Sequence, residues 1–277
     1  MKPLLERTLL RTGVILVGAY LVICAVLWER QAHFIFFPYP VVTTTPASDS
    51  VSFEDVRIPT DHGALAGWWI PSTSGNSKVL LYLHGNGGNI GSNADPAIRL
   101  CRIGPSVLIF DYRGYGNSSG PFPSEKRVYQ DSEAAWQYLV GTRHVDTRNI
   151  FIYGHSLGSA IAIELAIHHP DAGGLISESG FTSVLDVANH GGTLQIFPVR
   201  FLLTQHFDSI SKVQRLRIPV LFIHGLADHV VPPSMAKTLF DASPQPKQLL
   251  LIPGGDHEDN AIVGGNLYAQ AIQKFVK

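Results

Sequence analysis

Short apolar runs separated by longer mixed segments dominate the chain from residue 51 onward. The intervening segments are long enough for helices, which is the pattern expected of parallel strands joined by right-handed helical crossovers. Most of the runs are apolar on both faces, and strands of that kind are buried between two layers of helices. The predicted parallel strands cover residues 79–83, 107–110, 150–153, 174–177, 220–223 and 248–252.

A second pattern, ahead of these runs, predicts an antiparallel hairpin. Its strands would cover residues 51–58 and 64–70, with a turn at 60–63. The sequence therefore predicts an α/β protein with a mostly parallel, doubly wound sheet that begins with an antiparallel hairpin. In such a sheet the functional loops gather at the carboxyl ends of the strands.

Residues 181–216 connect two predicted strands through a segment that is longer and more apolar than an ordinary surface loop. Its most apolar part is the run 194–203. Two interpretations stay open: a small lid over a site at the strand ends, or one amphipathic helix packed against the sheet. As a lid, the segment would bring Phe197, Phe201 and Leu202 to a bound substrate.

The N-terminal part of the chain predicts a membrane anchor. Residues 12–28 carry no charge, and as a helix rising about 1.5 Å per residue they would reach roughly 26 Å, close to a hydrocarbon core of about 30 Å. The aromatic cluster 33–39 suits the headgroup level. We expect residues 1–39 to form the anchor and interfacial segment, 40–50 a Thr-, Pro- and Ser-rich linker, and 51–277 the folded domain.

Two other interpretations of the apolar run are a cleaved signal peptide and a buried core helix. An uncleaved anchor is favoured over a signal peptide because no Ala-x-Ala-like cleavage site follows the run. Lys2, Arg7 and Arg11 precede it, whereas Arg30 beyond it is balanced by Glu29. This bias predicts a cytoplasmic N-terminus and a domain on the non-cytoplasmic side.

Composition narrows the function classes further. The 277 residues are 45% hydrophobic and 16% charged, with a net charge of −1 and no block of like charges, which fits a large core and argues against nucleic-acid binding. Cys24 and Cys101 lie in unrelated contexts, so no disulfide is expected. The histidines lack metal-ligand spacing, and neither a metal nor a cofactor is expected.

The stretch from Gly154 to Gly158 predicts a nucleophile elbow. It places Ser156 between an apolar strand and a small-residue helix, and the flanking glycines are expected to permit the strained dihedrals of a tight strand-to-helix turn. By itself this pattern is also typical of a bland glycine-rich turn.

Other strand ends supply what a serine nucleophile needs. Asp228 and His257 each follow a predicted strand, and the chain order Ser156, Asp228, His257 is that of an α/β-hydrolase triad. Asp256 is a rival acid, but it is adjacent to His257 and poorly placed to face the far ring nitrogen. The backbone N–H groups of Asn86 and Leu157 are the expected oxyanion-hole donors.

The remaining polar residues at the strand ends are expected to be structural. The glycine-rich loop 84–89 fails the dinucleotide fingerprint, because Ile90 stands where glycine is required. Asp111 and Arg113 are expected to hold their loop by hydrogen bonds and an ion pair. His84 and His224, each beside a glycine at a strand end, are given the same structural role.

Several motifs occur together from residue 36 onward: Phe36-Phe37-Pro38, Gly67-Trp68-Trp69, the loop 84–89, the loop 111–118, the elbow 154–158, and the loops of Asp228 and His257. On these motifs, the chain from about residue 31 onward resembles the BEM46-like alpha/beta-hydrolases, a group of serine hydrolases. The resemblance implies an alpha/beta-hydrolase fold, a triad of Ser156, Asp228 and His257, an N-terminal membrane anchor, and activity on esters or thioesters.

The expected function is therefore that of a membrane-anchored serine hydrolase acting on lipophilic acyl esters or thioesters. The apolar segment 181–216 and the nearby bilayer favour an acyl chain over a polar peptide. The alternatives are a peptidase or acyltransferase on the same fold, or a catalytically silent binding module tethered to the membrane.

Overall fold

The computed structural model describes residues 2–192 and 196–277. Its helices are α1 (Lys2–Ile35), α2 (Ala94–Ile103), α3 (Glu125–Gln137), α4 (Leu157–His168), α5 (Val184–His190), α6 (Val199–Leu202), α7 (Ser209–Val213), α8 (Pro233–Ala242) and α9 (Asn260–Phe275). Its strands are β1 (Phe37–Pro38), β2 (Glu54–Thr60), β3 (Gly63–Ile70), β4 (Val79–Leu83), β5 (Gly87–Gly88), β6 (Ser106–Phe110), β7 (Ile150–His155), β8 (Gly174–Glu178), β9 (Val220–Gly225) and β10 (Lys247–Ile252).

Within the described residues, eight strands form one sheet in the order β10-β9-β8-β7-β4-β6-β3-β2. Strand β3 is antiparallel to its neighbours β2 and β6, whereas β6, β4, β7, β8, β9 and β10 all run parallel to one another. The predicted hairpin and the predicted parallel sheet are therefore both confirmed. The hairpin begins at Glu54, three residues later than the pattern indicated.

Successive side chains along each strand point to opposite faces of the sheet and pack into two separate hydrophobic cores. On β4, for example, Val79, Leu81 and Leu83 point to one core and Leu80 and Tyr82 to the other. Helices α3, α4 and α8 cover the first face, and α2 and α9 cover the second. Both faces are thus sealed, which explains why the central strands read as continuous apolar runs.

Residues on both sides of the expected boundary between anchor and linker, at residue 39, are bonded to the domain. Strand β1 pairs in parallel with β5. The Asn89 side chain donates hydrogen bonds to the carbonyl oxygens of Tyr39 and Val41 at 2.9 and 2.8 Å. A short 3₁₀ helix follows at Pro46–Asp49. Because its backbone groups are bonded to the domain, this stretch fixes the position of the end of α1 relative to the domain.

The insertion, residues 181–216, contains short helices α5, α6 and α7 in place of a single amphipathic helix. Thr193, Leu194 and Gln195, which include the start of the apolar run 194–203, lie outside the described residues. Pro198 occupies the N-cap of α6, and because proline lacks an N–H it cannot lie in the interior of a longer helix without breaking it.

Helix α1 is long and apolar enough over Glu6–Ile35 to cross a membrane, with only 6% of its most apolar window buried against the rest of the protein. Large apolar side chains such as Leu16 and Leu21 are more than half exposed. A signal sequence near the N-terminus passes the same test of length and composition. The apolar surface is what a lipid-facing helix requires.

Candidate active site

Ser156 forms the turn between β7, which ends at His155, and α4, which begins at Leu157. Its backbone has φ 53° and ψ −120°, a left-handed conformation that is rare for a residue with a side chain. Such strain persists only where the surroundings enforce it, and it clusters at active sites. The Ser156 N–H is held by the carbonyl oxygen of Glu178 at 2.9 Å.

The flanking glycines serve close packing, and the expectation that they absorb the strained dihedrals is wrong. Neither Gly154 nor Gly158 has a positive φ, because the strain lies on Ser156 itself. A Cβ on Gly154 would stand 2.2 Å from the carbonyl oxygen of Gly158, and one on Gly158 would stand 2.0 Å from that of Leu83. The glycines therefore allow α4 to pack directly against β4 and β7.

A chain of hydrogen bonds joins Ser156, His257 and Asp228. The Ser156 hydroxyl and His257 Nε2 are 2.9 Å apart, and His257 Nδ1 and Asp228 Oδ2 are 2.8 Å apart. An ionised carboxylate only accepts, so Nδ1 carries the ring proton and Nε2 is left to accept the hydroxyl proton. The three sequence-predicted residues are thus brought together in the geometry of a nucleophile, a base and an orienting acid.

Asp228 is buried and fully supplied with donors. Its Oδ1 accepts from the backbone N–H groups of Val230 and Val231 at 2.9 and 2.8 Å, and its Oδ2 lies 3.1 Å from His224 Nε2. Burial by itself would raise the pKa of Asp228, but the hydrogen bonds from His224, His257 and Val231 outweigh it and hold the pKa well below its usual range. The carboxylate is therefore ionised near neutral pH in the folded protein.

His224 was assigned a structural role from the sequence, and its contact with Asp228 was missed. Its Nε2 lies 2.9 Å from the carbonyl oxygen of Val231, and because a carbonyl only accepts, Nε2 carries the proton and also faces the carboxylate. The signal in the sequence is its place at the end of β9, four residues before Asp228.

The rival acid Asp256 has a different task. Its Oδ1 accepts from the backbone N–H groups of His257 and His229 at 2.8 and 3.1 Å. It fixes the loop that carries the base. His155 also contributes to that loop, with Nε2 lying 3.0 Å from the carbonyl oxygen of His257.

The environment of His257 favours the protonated ring. Burial lowers its pKa, but the hydrogen bond and charge of Asp228, with smaller contributions from the Glu258 and Asp256 carboxylates, raise the pKa above its ordinary value. The imidazolium that forms when the base takes a proton is therefore stabilised.

Asn86 and Leu157, the expected oxyanion-hole donors, line one cavity together with Ser156 and His257. The Asn86 loop passes close to the nucleophile, because a Cβ on Gly85 would lie 3.5 Å from Ser156 Cβ. The Asn86 side chain donates to the carbonyl oxygen of Ile35 at 2.9 Å, which ties this loop to the end of α1. Leu157 is the first residue of α4, where the backbone N–H has no partner within the helix.

The cavity has a volume of about 560 Å³ and is lined mainly by aliphatic and aromatic side chains. This size lies within the range of about 300–1,000 Å³ that is typical of ligand sites. Glu258 is the only carboxylate among the described lining residues. The others are Leu27, Gln31, Phe34, Ile35, Asn86, Ser156, Leu157, Phe181, Val184, Val187, Ala188, Val199, Leu202, Leu203, Val230, Val231 and His257.

Of the three residues expected to contact substrate, Leu202 lines this cavity, whereas Phe197 and Phe201 do not. Phe197 stacks on Tyr20 of α1 with ring centroids 5.6 Å apart, and Phe201 is 85% exposed. The reason is the short α6, which turns Leu202 inward and leaves Phe201 outward. The contribution of α1 to the cavity wall was not anticipated from the sequence.

Among the described residues, His155, His257 and Glu258 have ligand atoms within 4.8 Å of one another and could in principle hold a metal ion. Both nitrogens of His257 already bond Ser156 and Asp228, and His155 Nε2 faces a carbonyl oxygen. A bound cation would have to displace the base from the serine.

The loop after β6 is held by a buried ion pair and buried hydrogen bonds. Arg113 forms a buried ion pair with Asp131, with Nε and the guanidinium NH2 group 2.7 and 2.6 Å from Oδ1, so its partner is not Asp111. Asp111 instead accepts from the Ile90 N–H at 2.8 Å, and burial raises its pKa to about 7. His84 packs beside it with Nε2 at 3.6 Å, and burial lowers the pKa of His84 to about 4.

Comparison with known families gives two partial matches. Residues 75–194 match the model described as serine aminopeptidase, S33, and residues 200–276 match the model described as acetyl xylan esterase. The first match contains Ser156, and the second contains Asp228 and His257.

Comparison with whole proteins covers nearly the full chain. An uncharacterized protein of Mycobacterium tuberculosis is 37% identical over 90% of this chain and 88% of its own length. The alpha/beta hydrolase domain-containing protein WAV2 of Arabidopsis thaliana is 31% identical over 86% of this chain and 82% of its own length. Among solved structures, an esterase of Pyrococcus furiosus superposes with a TM-score of 0.72 at 22% identity, covering 87% of this chain and 97% of that one.

Proposed function

The chain belongs to the alpha/beta-hydrolase family, and on that basis we propose that it is a membrane-anchored serine hydrolase that cleaves carboxylic esters or thioesters of lipophilic acyl groups. The observation that supports this most directly is the hydrogen-bonded series Ser156, His257 and Asp228 opening into a mainly apolar cavity. The serine at the elbow disfavours haloalkane and epoxide chemistry, which uses a carboxylate nucleophile on this fold.

In the proposed reaction, His257 Nε2 takes the Ser156 hydroxyl proton as the serine oxygen bonds to the acyl carbonyl carbon. The N–H groups of Asn86 and Leu157 stabilise the negative charge on the carbonyl oxygen. The tetrahedral intermediate expels the alcohol or thiol, which receives the proton from His257. A water molecule then gives a proton to His257 as its oxygen bonds to the carbonyl carbon of the acyl-enzyme. His257 returns that proton to the Ser156 oxygen as the bond to serine breaks and the carboxylic acid leaves.

The cavity favours the lipophilic acyl part of the proposal. Aliphatic residues of α1, α5 and α6 surround the space next to Ser156, where an acyl chain would lose its contact with water. A series of p-nitrophenyl esters of increasing acyl length tests this directly. We expect rates greatest for medium or long chains, and rates greatest for acetate that vanish for medium chains would contradict the assignment. The Ser156→Ala variant sets the background rate.

Anchoring is proposed on the length and apolar surface of α1, with the hydrolase domain on the non-cytoplasmic side because positive charge precedes the apolar run. Proteolysis of sealed membrane vesicles tests both parts. The domain should be cleaved only when protease reaches the non-cytoplasmic face. Cleavage only from the cytoplasmic side would refute the orientation, and release of the domain by a carbonate wash would refute the anchor.

A serine peptidase is the second candidate, favoured by the match of residues 75–194 to the aminopeptidase model. Paired substrates with the same acyl group, one a p-nitrophenyl ester and one a p-nitroanilide, separate the two activities. Hydrolysis of the ester alone supports the proposed function, and a comparable kcat/KM for the anilide would favour the peptidase.

A further inference from the structure

The cavity next to Ser156 has a wall that comes from the proposed membrane anchor. Leu27, Gln31, Phe34 and Ile35 line it, and their spacing places them on one face of α1. The same helix therefore carries the apolar surface that would cross the bilayer and part of the surface that would hold the acyl chain.

Gln31 connects this wall to the insertion. Its Nε2 donates to the carbonyl oxygen of Leu202 at 3.2 Å, and its Oε1 accepts from the N–H groups of Thr204 and Gln205 at 2.7 and 3.1 Å. One side chain thus satisfies three backbone groups at the end of α6. Such a set of bonds fixes the insertion against α1 at the level of the catalytic serine.

A second contact joins the two elements farther along the apolar run. The Tyr20 hydroxyl donates to the carbonyl oxygen of Ile196 at 3.0 Å, and its ring stacks on Phe197. Tyr20 precedes the charged residue Glu29 by nine positions, which is about 13 Å along the helix axis. If the bilayer begins near Glu29, the insertion reaches well inside the hydrocarbon region.

The exposed surface of the insertion is consistent with that depth. Ile196 is 74% exposed and Phe201 is 85% exposed, although both are large apolar side chains. On a water-facing loop these side chains would be left solvated, but beside a membrane-spanning helix they face lipid. Their position next to α1 and their apolar character point to the same environment. Arg200 between them is also exposed, and its long side chain carries the charge toward the headgroups while its methylene groups stay beside the apolar surface.

We propose that the apolar surface of the insertion, with the exposed side chains of Ile196 and Phe201, lies in the bilayer that α1 crosses, and that the acyl chain of a membrane-resident ester enters the cavity from the hydrocarbon, between the two contacts that join α1 to the insertion. This inference rests on the proposed function, because it names the source and class of the substrate for the same serine. The alcohol part is not anionic: the carboxylate of Glu258 lines the cavity and repels an anionic headgroup. The substrate class is thus a long-chain acyl ester of a non-anionic alcohol.

The depth of the insertion can be measured without any activity. The full-length Phe201→Cys variant is labelled at the new cysteine with an environment-sensitive fluorophore and reconstituted into phosphatidylcholine vesicles. The unsubstituted protein, treated in the same way, gives the background labelling. Leu267→Cys is the matched control, an exposed apolar residue on α9 at the other face of the sheet. Nitroxide groups on the lipid acyl chains should quench the residue 201 probe several-fold more than the residue 267 probe. Equal quenching would overturn the immersion.

The route of the substrate is tested with Phe201→Asp, which places a charge on the lipid-facing surface without touching the cavity. Leu267→Asp is the control. On monooleoylglycerol in vesicles, Phe201→Asp should lose at least about tenfold in kcat/KM, while its rate on water-soluble p-nitrophenyl acetate stays within about twofold of wild type. Equal losses on both substrates, or no loss on either, would overturn entry from the bilayer.

Separate measurements test the headgroup assignment and the proposed hydrolase function. Wild type should hydrolyse monooleoylglycerol faster than the anionic monooleoyl glycerophosphate in the same vesicles, and the reverse order would overturn the assignment of a non-anionic alcohol. Failure of wild type on every ester would instead refute the proposed function, with the quenching result unaffected.

Discussion

Replacing Asp228 with asparagine tests how the base is held. Oδ1 of Asp228 accepts from two backbone N–H groups, and Oδ2 faces His257 Nδ1 and His224 Nε2. In the Asp228→Asn variant the amide oxygen must occupy the place of Oδ1, because the two backbone N–H groups there can only donate. The amide NH2 group then donates to His257 Nδ1, and the ring proton moves to Nε2, where it blocks acceptance from Ser156.

The expected loss is large because the wrong tautomer removes the base without removing any residue from the cavity. A comparable change in a serine protease triad lowers kcat by about 10⁴-fold, which corresponds to about 5.4 kcal/mol at 1.36 kcal/mol per tenfold. The assay is kcat and KM on one p-nitrophenyl ester, with KM near the wild-type value. Circular dichroism during thermal unfolding confirms that the variant is folded.

The neighbouring acid supplies the control for this experiment. Asp256→Asn keeps an oxygen that can accept from the same two backbone N–H groups and leaves the ring of His257 untouched. It should retain activity within about tenfold of wild type, which is well above the Asp228→Asn level. A loss as deep as that of Asp228→Asn, or near-normal activity in Asp228→Asn, would refute the assignment of the orienting acid.

Other predictions follow from the same contacts. Since the Glu258 carboxylate helps to raise the pKa of His257, and the base must be neutral, Glu258→Gln should move the rising limb of the kcat/KM profile to lower pH; an unchanged limb or a shift to higher pH would argue against this. Gly158→Ala should lower the free energy of unfolding in urea by about 3 kcal/mol, because its Cβ would lie 2.0 Å from the backbone oxygen of Leu83. Gly141→Ala, which has open space around it, should leave that free energy nearly unchanged, and equal effects of the two variants would contradict the packing argument. Leu157→Ala should lose about 2–5 kcal/mol of stability, since that side chain is 4% exposed. The variant should keep most of its activity per folded molecule, because the proposed role of Leu157 is through the backbone N–H. Loss of activity in fully folded protein would contradict that role.

The sheet could be predicted from sequence because its strands are buried on both faces. Residues 79–83 coincide with β4, and the other parallel strands differ from their predicted ranges by two residues or fewer at either end. The order of Ser156, Asp228 and His257 likewise carried enough information to select residues that lie within hydrogen-bond distance.

The cavity could not be predicted in the same way, because it depends on contacts between distant segments. Gln31 reaches residues about 170 positions away, and no local pattern indicates such a bond. Phe197 and Phe201 were expected in the cavity on hydrophobicity alone, but the orientation of each side chain depends on the break at Pro198. His224 was underestimated for a similar reason: its contact with Asp228 depends on the turn between them.

Covalent labelling of the full-length protein tests the central claim most directly. A fluorophosphonate probe phosphonylates a serine only if the base and the oxyanion donors activate it, and peptide mass mapping locates the adduct. We expect stoichiometric labelling of Ser156 in wild type, and its loss in Ser156→Ala and at pH values low enough to protonate His257. An unlabelled, folded wild type, or an adduct on another residue, would contradict the account and favour a catalytically silent binding module.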